Sequence, residues 1–440
     1  MCITTLIDKE NITCYKEVDD VYTSSVFVLG KNRHEYIMRR EFKKICINKG
    51  GQTMIVEPKV KGFICTTAHP VGCEKNVLNQ IEYVKKRGTI EGAKKVLVIG
   101  ASTGYGLASR ITAAFGMGAA TIGVFFDKEA SGKRTATPGF YNTRAFDEAA
   151  KAEGLYSKSI NGDAFSLEIK EQVINTIKKD LGKVDMVVYS LASPRRTTPD
   201  GTSFVSSLKT IGADFTQKNW NLRDNTIADA TLTSATEEEI ANTVKVMGGE
   251  DWIDWMDALT TADALEDNAI TLAYSYIGPK LTYPIYHEGT IGRAKQHLSD
   301  SAVAITESMK DKGIQAYVSV NKALVTQASS AIPVVPLYLS VLYKVMKEKD
   351  IHEGCVEQMY RLFADKVFGE DGIQVEKDGM LHVDDWEMRE DVQKAVMDIW
   401  DQINSDNLLE LADTEGYWLD FYQMFGFKMD GVDYSLDVEV

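Results

Sequence analysis

No stretch of the 440 residues approaches the roughly 20 consecutive apolar positions that a membrane-spanning helix needs, so no membrane association is expected. Cysteine is sparse: the six, at positions 2, 14, 46, 65, 73 and 355, include no C-x-x-C pair, which suits a reducing, cytoplasmic setting better than a disulfide framework. Histidine is equally thin. His34, His69, His287, His297, His352 and His382 are scattered, none in H-E-x-x-H spacing, so no metal site is expected. Basic charge is in deficit, 49 Lys and Arg against 64 Asp and Glu, and the net −15 argues against nucleic-acid binding driven by phosphate neutralisation. No secretory leader is visible, because Asp8, Lys9 and Glu10 interrupt any apolar stretch.

What the sequence does hold is a long apolar strand running into glycines. Val96-Leu97-Val98-Ile99 fits a parallel strand buried on both faces, and Gly100 ends it where the backbone must turn tightly. Gly100-Ala101-Ser102-Thr103-Gly104-Tyr105-Gly106 then leads into a helix over 108–115. Its free N–H groups and positive dipole end suit a pyrophosphate. The G-x-x-x-G-x-G spacing differs from G-x-G-x-x-G and is nearer the turn of short-chain dehydrogenases. A second strand, 121–126, ends at Phe126-Asp127, about 20 residues past the turn, where an acid usually takes ribose hydroxyls. A carboxylate there repels a 2′-phosphate, favouring NADH over NADPH.

The chain continues as alternating helices and strands. A helix over 142–153, a weak strand over 156–161 ending at Asp163-Ala164, a helix over 165–181 and a buried strand over 184–192 follow in order. The small residues around Leu191-Ala192 would let backbone approach a cofactor. This β-α-β-α-β order implies right-handed crossovers and a Rossmann-like, doubly wound parallel α/β sheet. Residues 194–262 interrupt it and read as a substrate-covering insertion, with a hairpin from extended pieces at 202–210 and 225–233. Thr236-Glu237-Glu238-Glu239 opens a helix to about Met247, and Trp252, Trp255 and Met256 on the next helix read as core. C-terminal helices are expected over 353–368 and 385–403, with the aromatic tail 417–427 packed on the body.

Residues 1–53 differ in composition from the rest, with net charge of opposite sign. They read either as translated upstream sequence before a start at Met54 or as an added surface element. Residues 54–440 read as one large NAD-binding reductase domain.

A strand over 269–278 ends in tyrosines and is followed by Tyr286 and, eight residues beyond it, Lys295. In dehydrogenase chemistry a phenol donates to a developing oxyanion while an ammonium lowers its pKa and holds the nicotinamide ribose. Ordinary short-chain enzymes have three residues in that gap, so the spacing alone is a weak signal.

The motifs together carry a resemblance. Gly-Ala-Ser-Thr-Gly-Tyr-Gly at 100–106, Phe125-Phe126-Asp127, Tyr189 to Arg195, Tyr274-Ser275-Tyr276-Ile277-Gly278-Pro279, Tyr286-x8-Lys295 and Leu324 to Pro333 resemble the bacterial NADH-dependent trans-2-enoyl-CoA reductases, also called V-type enoyl-acyl-carrier-protein reductases. The resemblance runs from about Met54 to the C-terminus and leaves residues 1–53 unaccounted for. It implies Tyr286 as proton donor, Lys295 as a catalytic and cofactor-binding partner, and Tyr276 as a substrate contact. It implies cofactor contacts from Gly100, Ala101, Ser102, Thr103, Gly104, Tyr105, Phe126, Asp127, Asp163, Ala164, Leu191, Ala192, Leu324, Val325 and Thr326. Asp127 stands where many members carry glutamate. The run from Asn321 into Ala328–Tyr343 reads as core helix or as a lid over an acyl chain, and the resemblance favours the lid.

The implied activity is reduction of the carbon–carbon double bond of an enoyl-CoA or enoyl-acyl-carrier protein, in fatty-acid synthesis or butyrate-type fermentation, by a cytoplasmic monomer. The alternatives are a carbonyl reductase acting on 3-ketoacyl thioesters and a non-catalytic NADH-sensing module.

Overall fold

The computed structural model describes residues 53–440 apart from position 328, together with strand backbone at Ile3–Asp8, Asn11–Val18, Val21–Val28 and Lys43–Ile45. These four strands pair antiparallel in chain order. The chain divides into two compact units, Met1–Thr53 with Glu439–Val440, and Met54–Val438. Both readings of residues 1–53 fall outside the described residues.

Seven parallel strands form the sheet of the larger unit: β1 Lys95–Ile99, β2 Ala120–Phe125, β3 Ser157–Asn161, β4 Val184–Tyr189, β5 Leu265–Ser275, β6 Gln315–Val320 and β7 Leu381–His382. Their order is 3-2-1-4-5-6-7. Alternating side chains explain the uninterrupted apolar runs. Val96 and Val98 of β1, with Met186 and Val188 of β4, face one layer of helices, α1 Pro70–Arg87, α2 Gly104–Ile111, α3 Pro138–Ala152 and α10 Cys355–Arg361. Leu97, Ile99, Val187 and Tyr189 face the other, built from α4 Leu167–Asp180, α6 Glu250–Thr261 and α8 Thr290–Ser308. With both faces covered, no polar alternation is tolerated in the central strands. The expected doubly wound α/β fold is therefore present.

The expected capping box is present: α5 Glu237–Met247 starts with Thr236 and Glu239 bonding each other's backbone N–H. Trp252 and Trp255 are fully buried in α6 against the sheet, as core. The single hairpin expected from 202–210 and 225–233 is not formed. Arg195–Thr197 pairs with Ser203–Val205, and Phe215–Asn221 with Thr226–Leu232. Gly201 and Asn225, both at positive φ, close each arm on its nearest partner, which costs less closure entropy than the longer connection.

The lid reading of the 328–343 stretch is also corrected. The helix is α9 Val335–Glu348, with eleven of its 14 residues buried, Pro336 in its first turn and Val334 N–H fixed by Asn219 Oδ1 at 2.9 Å. It is a core helix. Against it pack α11 Glu390–Gln402 and α12 Thr414–Gln423. Tyr417, Phe421, Phe425 and Phe427 of the aromatic tail are buried, as expected.

On β7, His382 sits between two carboxylates, Nδ1 2.8 Å from Asp384 and Nε2 2.9 Å from Asp378. Asp384, and then Asp378, push its pKa up to about 9 against the opposing effect of burial. Because the folded value lies above the unfolded one of about 6.5, this stabilisation is complete at lower pH and is lost as pH rises through about 9. Thermal melts should show His382→Gln less stable than the native chain at pH 6, with the difference closing by about pH 10.

Candidate active site

The C-terminal ends of the parallel strands share one edge, and the order reverses between β1 and β4, where open α/β sheets bind ligands. Two glycines set the geometry there. A Cβ on Gly100, whose φ is 88°, would lie 2.0 Å from the Ser190 carbonyl, and one on Gly106 would lie 1.9 Å from the Gly100 carbonyl. Only hydrogen at both positions lets β1, the segment after β4 and the start of α2 close together. Gly100 and Ala101 N–H both donate to Val124 O, and Asn142 Nδ2 donates to Ser102 O at 3.1 Å. Gly104 faces open space, and Thr103 caps α2 without using its hydroxyl on the helix. Thr103 and Gly104 line a cavity of about 290 Å³ together with Leu324, Val325 and Thr326. The turn and the 324–326 loop, expected on separate motifs, thus meet at one cavity.

At the end of β2, Asp127 is held ready. Thr137 Oγ1 donates to its Oδ1 at 2.7 Å, and Asn161 bonds both its N–H and its carbonyl. Phe126 beside it is exposed. Asp163 and Ala164 already have partners: Phe165 N–H donates to Asp163 Oδ1, and Trp255 Nε1 to the Ala164 carbonyl. Leu191 lies against Gly100, whereas Ala192 is exposed.

The tyrosines gather past the end of β5. Tyr276 is two helical-turn connections before Tyr286, which ends the one-turn helix α7 Tyr283–Tyr286, and their rings meet edge-on with centroids 4.7 Å apart. Lys295 reaches from α8 to donate to the Tyr274 carbonyl at 3.0 Å. Tyr274 in turn bonds Ser109 of α2 and tilts against Tyr105, whose hydroxyl donates to Lys322 O at 2.6 Å. The glycine turn and the tyrosine cluster are therefore joined through contacts across the β1, β5 and β6 ends.

One electrostatic expectation is not met. Burial, and then the Glu387 charge, push the Tyr286 phenol above its ordinary pKa, and Lys295 does not lower it. The ammonium is itself buried, its pKa lowered to about 8, and is aimed at a backbone carbonyl. A phenol so placed stays protonated at neutral pH, and its hydroxyl makes no hydrogen bond among the described residues.

Glu387, in the turn before α11, went unnoticed in the sequence. It is fully buried and accepts from Tyr276, Tyr338 and Ala323 N–H. No motif announces it, since its partners are 49 to 111 residues away.

A glycine turn at the switch point, with an acid after β2 and a tyrosine and lysine past β5, is the arrangement of a nicotinamide-dependent reductase. Comparison with known proteins narrows the class. Residues 134–368 match the family described as trans-2-enoyl-CoA reductase catalytic region, and residues 55–132 the NAD(P)H binding domain of trans-2-enoyl-CoA reductase. The trans-2-enoyl-CoA reductase [NADH] of Ruminiclostridium cellulolyticum is 58% identical over 88% of this chain and 98% of its own length. The enoyl-[acyl-carrier-protein] reductase [NADH] of Flavobacterium johnsoniae is 57% identical over 87% and 97%. Trans-2-enoyl-CoA reductase from Clostridium acetobutulicum, solved with NADH, superposes with a TM-score of 0.86 at 48% identity, covering 88% of this chain and 98% of that one. That from Treponema denticola, solved with NAD, gives 0.85 at 52%, with the same coverage. The chain belongs to the trans-2-enoyl-CoA reductase family.

Residues 375–438 match a further family described as enoyl reductase FAD binding domain. They do not fit a second dinucleotide. β7 runs into Asp384-Asp385-Trp386, with no glycine turn leading from strand to helix, and α12 turns Tyr417 and Phe421 into the core.

The cradle makes a direct prediction. Gly106→Ala, whose methyl group meets the Gly100 carbonyl, should weaken NADH binding at least about tenfold in a fluorescence titration while leaving secondary structure by circular dichroism unchanged.

Proposed function

We propose that this protein reduces the carbon–carbon double bond of trans-2-enoyl thioesters, on coenzyme A or acyl-carrier protein, with NADH. The observation that carries this is the unpartnered, protonated Tyr286 hydroxyl beside Tyr276, with Lys295 fixed at the end of the neighbouring strand. Both carriers occur in the names of relatives matched along nearly their whole length.

NADH, when bound, supplies the hydride that adds to the β-carbon of the enoyl group. The glycine turn at 100–106 would hold its pyrophosphate, and Asp127, oriented by Thr137, would take its ribose hydroxyls and reject a 2′-phosphate. Lys295 and the loop at Leu324–Thr326 would hold its nicotinamide end. As the double bond accepts the hydride, negative charge grows on the thioester oxygen. The Tyr286 phenol donates to that oxygen, and this hydrogen bond strengthens as the charge grows, so it favours the transition state over bound substrate. A proton taken from water then adds to the α-carbon of the enolate and completes the saturated acyl thioester. Tyr276 contacts the substrate beside it.

We propose further that the enzyme is monomeric and cytoplasmic. Cys65 and Cys73 are buried free thiols, and no helix among the described residues is long and apolar enough to cross a membrane. Sedimentation of the full chain tests the monomer.

The activity is tested by following NADH absorbance with crotonyl-CoA, its carrier-protein equivalent, a 3-ketoacyl-CoA and no acyl substrate. Oxidation with the enoyl thioesters alone is expected; oxidation with the ketoacyl thioester alone overturns the proposal. Tyr286→Phe should keep NADH binding and lose about 10²–10³ in kcat. Since the Lys295 ammonium is lost as pH rises through about 8, NADH affinity should fall over that range. In Lys295→Met the affinity should be low and flat with pH.

A further inference from the structure

Glu387 is fully buried and makes no direct ion pair among the described residues, the buried Lys322 being the cation whose charge acts on it at longer range. Three hydrogen-bond donors converge on it instead. Tyr276 and Tyr338 hydroxyls donate to Oε1 at 2.9 and 2.6 Å, and Ala323 N–H donates to Oε2 at 2.7 Å. Gln393 Nε2 donates to Tyr338 Oη at 3.2 Å and to the Glu387 carbonyl at 2.7 Å, so the Tyr338 proton is left for the carboxylate. Burial raises the Glu387 pKa, while the Lys322 charge and the hydrogen bonds from Tyr338 and Ala323 N–H act against it and favour the ionised acceptor.

A tyrosine hydroxyl carries one proton. That of Tyr276 is committed to Glu387, so toward Tyr286 and the substrate space Tyr276 offers lone pairs only. The Tyr286 hydroxyl has no protein partner among the described residues and keeps its proton available. We propose that Glu387 is a positioning residue that decides which of the two site tyrosines donates: by drawing off the Tyr276 proton, it leaves Tyr286 as the donor to the thioester oxygen. The same carboxylate pins Ala323, immediately before the 324–326 loop, so the substrate tyrosines and the cofactor side of the site share one anchor. The inference rests on the reading of Tyr286 as donor given above.

The test is a double-mutant cycle in the full-length enzyme with crotonyl-CoA. In Glu387→Gln the Ala323 N–H cannot reverse, so the amide oxygen stays on it and the amide NH2 faces the two hydroxyls. These rotate to accept, which returns the Tyr276 proton to the site. Tyr286→Phe should then cost about tenfold less in kcat in the Glu387→Gln background than in the native one, where it costs about 10²–10³. NADH dissociation constants should stay within about threefold between native and Glu387→Gln chains. Equal cost in both backgrounds overturns the role of Glu387 alone; a Tyr286→Phe variant with full turnover overturns the donor assignment and this inference with it. Should Glu387→Gln fail to fold, Tyr276→Phe decides. A kcat loss at least about tenfold smaller than that of Tyr286→Phe supports the proposal, and an equal loss overturns it.

Discussion

The approach of Gly100 to the Ser190 carbonyl is the constraint on which the site depends. A single methyl group there would stand 2.0 Å from a backbone oxygen that has no freedom to move, because Ser190 N–H is itself bonded to Ile99 O. With hydrogen in that place, β1 and β4 run side by side to their ends, α2 starts directly over the turn, and its free N–H groups face the cavity shared with the 324–326 loop. Every other part of the site is positioned relative to this join, which explains why the cradle is built from backbone rather than long side chains.

Around that join the buried charges have unequal company. Lys170 has a direct carboxylate partner in Asp251, which also faces Arg196, and Arg361 has two, in Glu353 and Asp385. Lys295 hydrogen-bonds a backbone carbonyl, and Glu387 takes hydrogen bonds from neutral donors, with the Lys322 charge acting on it at longer range. Burial displaces both pKa values, Lys295 downward and Glu387 upward, the latter against the opposing charge of Lys322.

Much of this was legible in the sequence because the signals were local. Val96 to Ile99 had to be covered on both faces, Thr236 to Glu239 encodes its own cap, and the glycines announce the turn. Pairing choices were less legible: the 203–205 and 226–232 strands took their nearest neighbours, a matter of loop closure that strand composition does not express. Helix α9 is apolar enough for either a lid or a core, and only the presence of α11 and α12 against it decides. The charge around Tyr286 was misread for the same reason. Lysine spacing suggested its partner, whereas the nearest charge comes from Glu387, brought in by tertiary packing over 111 residues to Tyr276.

The distance of Glu387 along the chain has a consequence for synthesis. A ribosome finishes the glycine turn, β2 and β4 long before it reaches the acid that orients the tyrosines. A nascent chain can therefore assemble its nucleotide cradle early and remain chemically idle, since the group that sorts proton donor from acceptor is still in the exit tunnel. Competence arrives late, only once the segment past β7 has been made.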